Sequence, residues 1–289
     1  MPYNRRKFLQ TTGLFAAGSV FAKNAFAANG KSKLLNVGLQ LWTVKEDMAK
    51  DPKNVLKQVA SFGYTQIESF EGDQGMFWGM KPMEFKKYVD GLGMTAVSSH
   101  CNDIYKDSFK AKAEDAAKAG LKFLISPSES NAKSVDDFKK LADRFNACGE
   151  ICKSNGLRFG YHNHDAIFKP VSDQIPMDIL LANTDKNLVV YEMDIYWVIT
   201  AGADPKKYLK QYNDRFKLCH IKDRMKNADP KEEDASCIVG EGSIDFAAIL
   251  RTAKDNGVRY YIVEQERFDN STPLQSAEAD VKYLKNLNI

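Results

Sequence analysis

In VDDFKKLADRFNACGEICKSNGLRFGYHNH, residues 135–164, a polar segment with helical periodicity stops at Gly156 and a strand-like run begins at the next residue. A glycine at that point can adopt the left-handed conformation that ends a helix, leaving a loop just long enough to turn the chain. The same unit recurs on either side. Strand-like runs lie at 36–42, 65–70, 95–100, 122–127, 157–164, 188–197, 216–222 and 259–266, each followed by a helix-periodic segment. The junctions SFGY, GLGM, KAGL and DNGV repeat the glycine stop seen in SNGL. Eight strands alternating with eight helices predict a single closed (β/α)₈ barrel over residues 33–289. An open doubly wound sheet is disfavoured, because the first strand, in GLQLWTVKED, leads into no glycine-rich phosphate loop.

In such a barrel, chemistry collects where strands end and the following loops begin, while the opposite rim serves stability. His162 and His164 are two apart on a strand and so face one common space. The other polar residues at strand ends are His100, Asp194, His220 and Glu264, which brings all four histidines of the chain to one rim. A lone histidine at a strand end is ordinarily just a hydrogen-bonded residue. Four of them with an Asp inside VVYEMDIYW and a Glu inside YYIVEQE are different, since a carboxylate among apolar neighbours is costly unless paired or coordinating a cation. A divalent metal site of His162, Asp194, His220 and Glu264 is therefore expected. The donor set suits Mn²⁺, Zn²⁺, Co²⁺ or Fe²⁺ better than Ca²⁺ or Mg²⁺, which favour oxygen alone.

Composition excludes several other classes. The formal net charge of +3 is spread along 289 residues, giving no electrostatic reason to expect nucleic acid or an anionic membrane. Five cysteines, an odd number, do not form a disulfide framework, and most read as buried small hydrophobes. The N-terminus stands apart from the fold. Arg5 and Arg6 precede the apolar run GLFAAGSVFA and a small-residue site at Ala25-Phe26-Ala27. This layout resembles a twin-arginine (Tat) export signal over residues 1–27, with a Sec signal or an uncleaved anchor as the alternatives. The expected mature protein is periplasmic or otherwise exported, free of the membrane after signal cleavage, with its oligomeric state open to a homo-oligomer.

Taken together, the eightfold alternation, YHNHD, MDIYW with the AGADP that follows it, CHIKDR, GEGSIDF and IVEQE resemble the sugar phosphate isomerase/epimerase superfamily of xylose-isomerase-like barrels over essentially the whole mature chain. Each motif is weak alone; their order on consecutive strands is specific. The resemblance implies one divalent metal, often Mn²⁺, held at the ends of strands five to eight, with Asp194, His220 and Glu264 at the matching positions. It also implies a departure, since His162 stands where ketose 3-epimerases carry Glu, and His164 where dehydratase-like relatives carry a catalytic or supporting His. A metal-bound imidazole cannot act as a second opposed base, so isomerisation by one base and elimination are both open, with Glu264 or His164 as the base.

Lys222 would either hold a developing oxyanion or form a salt bridge with Glu264 or Glu266. His100, Trp42, Trp197 and Glu68 are candidate substrate contacts, with core packing the alternative for the tryptophans. Glu192 is expected one layer deeper in the barrel in a structural role. GEGSID is expected to feed a helix capped by Ser243. The expected activity is metal-dependent isomerisation or epimerisation of an unphosphorylated sugar or keto-sugar through α-proton abstraction. A lyase or dehydratase on the same scaffold and a non-catalytic sugar-binding barrel are the alternatives. An AP-endonuclease-like reading lacks the histidines for a trinuclear zinc site and a basic face.

Overall fold

A computed structural model describes residues 33–105, 107–127 and 132–289. The expected signal segment lies outside the described residues. Eight parallel strands close into a barrel: β1 (Gly38–Gln40), β2 (Gln66–Phe70), β3 (Thr95–His100), β4 (Phe123–Ser126), β5 (Arg158–His162), β6 (Val189–Asp194), β7 (Phe216–Ile221) and β8 (Tyr260–Val263). Each pairs with its neighbours in sequence, and β1 closes on β8 through Gly38 beside Ile262. Among the described residues, no helix is long and apolar enough to cross a membrane.

The helices form where the sequence marks them. The segment Val135–Ser154 begins with a reciprocal cap, in which the Ser134 side chain accepts from the Asp137 N–H and the Asp137 side chain accepts from the Ser134 N–H. It ends before Gly156, whose φ of 76° is the left-handed turn expected there. Gly63, Gly93, Gly120 and Gly257 have positive φ at the four sister junctions. Helix stripes pack on the outside of the barrel to form the main apolar core, and Val97, Phe123, Ile125, Val190, Leu218 and Ile262 form a separate apolar plug.

Strand periodicity carries that plug into chemistry. Two residues beyond Val190 on the same face of β6 is Glu192, and two more is Asp194; on β7, Leu218 is followed by His220, with Lys222 just past the strand end. The barrel interior thus passes from an apolar layer to a charged one towards the strand ends.

Several strands are shorter than the apolar runs predict. The run 188–197 stops at Asp194, whose carboxylate accepts the Trp197 N–H at 3.1 Å and starts a short helix, Ile195–Thr200. An aspartate at a strand end is a strong N-cap, and it overrides the strand propensity of IYW. The run 157–164 stops at His162, leaving His164 on the following loop. The run 259–266 stops at Val263, where the Gln265 N–H turns to Thr43 Oγ1 at 3.1 Å. The run 36–42 is strand only at 38–40, because the Gln40 side chain caps a 3₁₀ turn, Leu41–Val44.

Candidate metal centre and active site

At the C-terminal rim of the strands a cavity of about 290 Å³ is lined by Trp42, Phe70, Glu71, His100, Asn102, Pro127, His162, His164, Glu264 and Glu266. Among the expected site residues, His100, Trp42, His162, His164 and Glu264 thus share one space. Trp42 is half in water at 37% exposure, its indole Nε1–H donating to Glu266 Oε1 at 3.0 Å. Asp194 and His220 lie fully buried at the inner end.

Asp194, His220 and Glu264 form a donor triad whose ligating atoms lie within 4.8 Å of one another. Adjacent strands bring them there, with Asp194 in register beside His220 on β6 and β7 and Glu264 directly after β8. His220 Nδ1 is 3.4 Å from Glu264 Oε2 and 3.8 Å from Asp194 Oδ2. Donors of an ion with bonds of ~2.0–2.2 Å stand roughly 3.3–3.6 Å apart in a tetrahedral shell. Asp194 Oδ2, His220 Nδ1 and His164 Nδ1 are buried without hydrogen-bond partners. Buried polar atoms left unpaired at that spacing are what a cation would satisfy. The residues therefore fit a divalent ion, with Asp194, His220 and Glu264 as three donors and an open side towards the cavity.

The histidine pair divides its roles by neighbours. His162 Nδ1 lies 3.1 Å from Glu192 Oε2, and its Nε2 stands 3.8 Å from Asp194 Oδ2, which places it beside the triad. His164 borders the cavity with its ring 5.4 Å from Trp197. Burial holds its pKa down at about 4, against the opposing pull of Glu264, so it is neutral at physiological pH.

The charges of the centre are set by burial and by one another. Burial lifts the Asp194 carboxyl to about 7, against Lys222 and His220. Burial also raises Glu264, but the His220 and Lys222 charges overcome it and hold that carboxyl at about 2. Burial lowers His220, yet Glu192 and Glu264 carry it well above the usual imidazole range. In the metal-free protein Glu264 is thus ionised beside a His220 that holds an extra proton, which a divalent ion would displace.

Lys222 is fully buried, ion-paired with Glu266 and 3.9 Å from Glu264, with the Tyr196 and Trp197 rings each 4.9 Å from its ammonium. The salt-bridge alternative is what the structure shows, and Lys222 stands behind Glu264 and Glu266, outside the cavity lining. Trp197 does not line the cavity either, because it belongs to the helix that Asp194 caps. Glu68 departs furthest from expectation. It is sealed below the cavity, where Gln40 Nε2 donates to it at 2.7 Å and Ser98 Oγ at 2.5 Å, so it offers nothing to a substrate. Ser243 is not a helix cap; its hydroxyl donates to the Arg224 carbonyl, and Asp245 caps the helix Phe246–Asp255.

Sequence reasoning passed over Glu71 and Asn102 as lining residues, and took Glu266 only as an ion-pair partner of Lys222. Glu266 carried a usable signal, being two after Glu264 and so returned to the same side. Glu71 and Asn102 lie just past strand ends with no pattern to mark them.

Comparison with known proteins places this geometry. An inosose dehydratase of Clostridium perfringens is 30% identical over 164 residues, 52% of this chain and 54% of that protein, so the match spans about half the length of that relative. An inosose dehydratase of Geobacillus kaustophilus is 22% identical over 272 residues, covering 81% of this chain and 86% of the other. The crystal structure of a sugar phosphate isomerase/epimerase from Parabacteroides distasonis superposes with a TM-score of 0.75 at 29% identity, covering 90% of this chain and 97% of that one. The sequence pattern of one family runs from residue 56 to residue 287, through every strand from β2 to β8, and on that ground the protein belongs to the xylose isomerase-like TIM barrel family.

Proposed function

We propose that this enzyme is a divalent-metal-dependent dehydratase that removes water from an uncharged keto-sugar or keto-polyol. The observation that carries the proposal is the asymmetry of the centre. Glu264 is the one triad carboxylate that lines the cavity, and the imidazoles of His162 and His164 line it with Glu264. A donor triad with one carboxylate in reach of the substrate can remove an α-proton but has no second metal-bound carboxylate to return it on the opposite face. The inosose dehydratase relatives favour elimination over the isomerase reading expected from sequence.

A divalent ion bound by Asp194, His220 and Glu264, with His162 beside them, would polarise the substrate carbonyl and lower the acidity barrier of the neighbouring C–H. Glu264, ionised and backed by Lys222, accepts the α-proton. As the carbon–carbon double bond forms, the β-carbon–oxygen bond breaks, and the same carboxyl returns its proton to the departing hydroxyl, which leaves as water. The products are an unsaturated ketone and water. Neutral His164 hydrogen-bonds a substrate hydroxyl across the cavity, and Trp42 and Phe70 give the sugar an apolar wall.

The lining also bears on the substrate's charge. Among the described residues that line the cavity there is no Lys or Arg, whereas Glu71, Glu264 and Glu266 are all acidic. A phosphate or carboxylate on the substrate would find no Lys or Arg in the lining to pair with, since Lys112 and Lys222 are already engaged from behind by Glu71 and Glu266. The test is a panel of keto-polyols and keto-sugars, with and without phosphate, incubated in D₂O with Mn²⁺ or Zn²⁺ and followed by NMR and ultraviolet absorbance. Dehydration of a neutral member with deuterium entering recovered substrate is expected. Clean epimerisation without loss of water would restore the isomerase reading.

A further inference from the structure

Beneath the donor triad lie two more carboxylates, Glu68 on β2 and Glu192 on β6, both fully buried. His220 turns Nε2 to Glu68 Oε1 at 2.7 Å and presents Nδ1 to Glu264 and Asp194. His162 turns Nδ1 to Glu192 Oε2 at 3.1 Å and presents Nε2 to Asp194. Each ring therefore has one nitrogen on a buried carboxylate and the other facing the place proposed for the ion.

A neutral imidazole carries one N–H and one lone pair, and an ionised carboxylate only accepts. The carboxylate below fixes the proton on the nearer nitrogen and so leaves the lone pair on the farther one. We propose that Glu68 and Glu192 are positioning residues that set the tautomers of His220 and His162, so that His220 Nδ1 and His162 Nε2 face the metal. The inference rests on the metal position proposed above.

Two features argue that this layer does more than fill space. The layer below is an apolar plug, so hydrophobic side chains would have filled the same volume without the cost of burying two carboxylates. Both carboxylates are also themselves held in place. Glu68 is gripped by Gln40 from β1 and Ser98 from β3, and Glu192 Oε2 is shared by His162 and by His100 Nε2 at 2.9 Å. Strands β1, β2, β3, β5, β6 and β7 are thus joined through one hydrogen-bonded layer that aims two rings.

The donors of His100, His162, Glu192 and His220 also converge closely enough to hold a cation themselves. Their inward nitrogens are already engaged by carboxylates and only Glu192 Oε1 is left without a partner at that depth, whereas Asp194 Oδ2, His220 Nδ1 and His164 Nδ1 are all unpartnered towards the cavity. That contrast assigns the ion to the upper position and the orienting role to the lower one.

The test uses the zinc-loaded protein, since Zn²⁺ is diamagnetic, with ¹⁵N-labelled histidine and long-range ¹H–¹⁵N correlation. The expected spectrum shows His220 protonated at Nε2 with zinc on Nδ1, and His162 protonated at Nδ1. Zinc on His220 Nε2, or on His162 Nδ1 in the deeper group, would overturn the proposal. In parallel, Zn²⁺ affinity is measured by competition with a chromophoric chelator for Glu68→Gln and Glu192→Gln. A loss of ~10–100-fold is expected in each, with the circular dichroism spectrum retained. Unchanged affinity in both would refute the positioning role, and if neither variant folds the native spectrum decides alone. Asp194→Ala separates the two levels of the argument. Loss of zinc there with full retention in both Gln variants leaves the metal site standing and removes the positioning role, whereas zinc retained by Asp194→Ala removes both.

Discussion

Asp194 and Asp223 are both fully buried aspartates just past or at the end of a strand, and they are treated in opposite ways. Asp223 Oδ1 accepts the N–H groups of Arg224 and Ile244 at 2.8 and 3.2 Å, and its Oδ2 those of Gly240 and Gly242 at 2.9 and 3.0 Å. The chain wraps this carboxylate so closely that a Cβ on Gly242 would meet Asp223 Oδ1 at 2.3 Å. Asp194 Oδ1 has only the Trp197 N–H, and Oδ2 has no hydrogen-bond partner. A carboxylate saturated by backbone N–H groups organises a loop, and one left open among other donors is built for a ligand. The same contrast explains GEGSID, whose Gly240, Gly242 and Ile244 N–H groups point to Asp223 while those of Glu241 and Ser243 go to the Ile238 and Arg224 carbonyls, so they are not free to cradle a phosphate.

The largest effect that would break this comparison lies at the open cluster. Glu264→Gln should lower turnover by ~10²–10⁴-fold, the usual contribution of a positioned acid or base, while the protein melts within a few degrees of the parent. Turnover within tenfold of the parent would remove Glu264 as the base. Next comes the closed cluster. Asp223→Ala leaves four N–H groups without their acceptor and should cost about 3 kcal/mol in urea unfolding, with metal stoichiometry unchanged. A loss of metal with no loss of stability would reverse the two roles.

A third carboxylate gives the smallest effect and the sharpest pH signature. Asp280 accepts the Val239 N–H at 2.7 Å with Oδ1, while Oδ2 has no hydrogen-bond partner. Burial, with the Asp223 and Glu241 charges, lifts its carboxyl to about 8 from a usual 3.8. The folded protein thus keeps a proton that the unfolded chain releases between those values, so stability falls as pH rises through that window and levels off above it. Asp280→Asn keeps the acceptor and abolishes the titration. It should match the parent near pH 4 and exceed it at pH 8 by ~1–3 kcal/mol, read from paired urea titrations. Equal stability at both pH values would show that Asp280 ionises freely.

The barrel was legible because its signal repeats: a glycine stop followed at once by a β run announces each helix-to-strand junction wherever it occurs. The cluster of candidate donors was legible because polar residues inside apolar strands are costly and therefore conspicuous. What escaped lay in contacts across the barrel. Nothing local to QIESF shows that Glu68 will be captured by Gln40 and Ser98 from flanking strands and closed off from the cavity. Nothing in IYW shows that Asp194 will cap it into a helix and carry Trp197 away from the lining. Glu192 was placed at the right depth by strand periodicity, but its contact with His100 and His162 depends on the curvature that closes the sheet.

The most direct test is metal content measured together with proton exchange. The protein is loaded with Mn²⁺ or Zn²⁺, and solvent deuterium entering the α-carbon of a neutral keto-polyol is followed by NMR for the native protein, Asp194→Ala and Glu264→Gln. The account predicts one ion per chain and exchange in the native protein, loss of both in Asp194→Ala, and abolished exchange in Glu264→Gln whether or not that variant keeps its ion. Exchange that persists in Asp194→Ala after the ion is gone would contradict it.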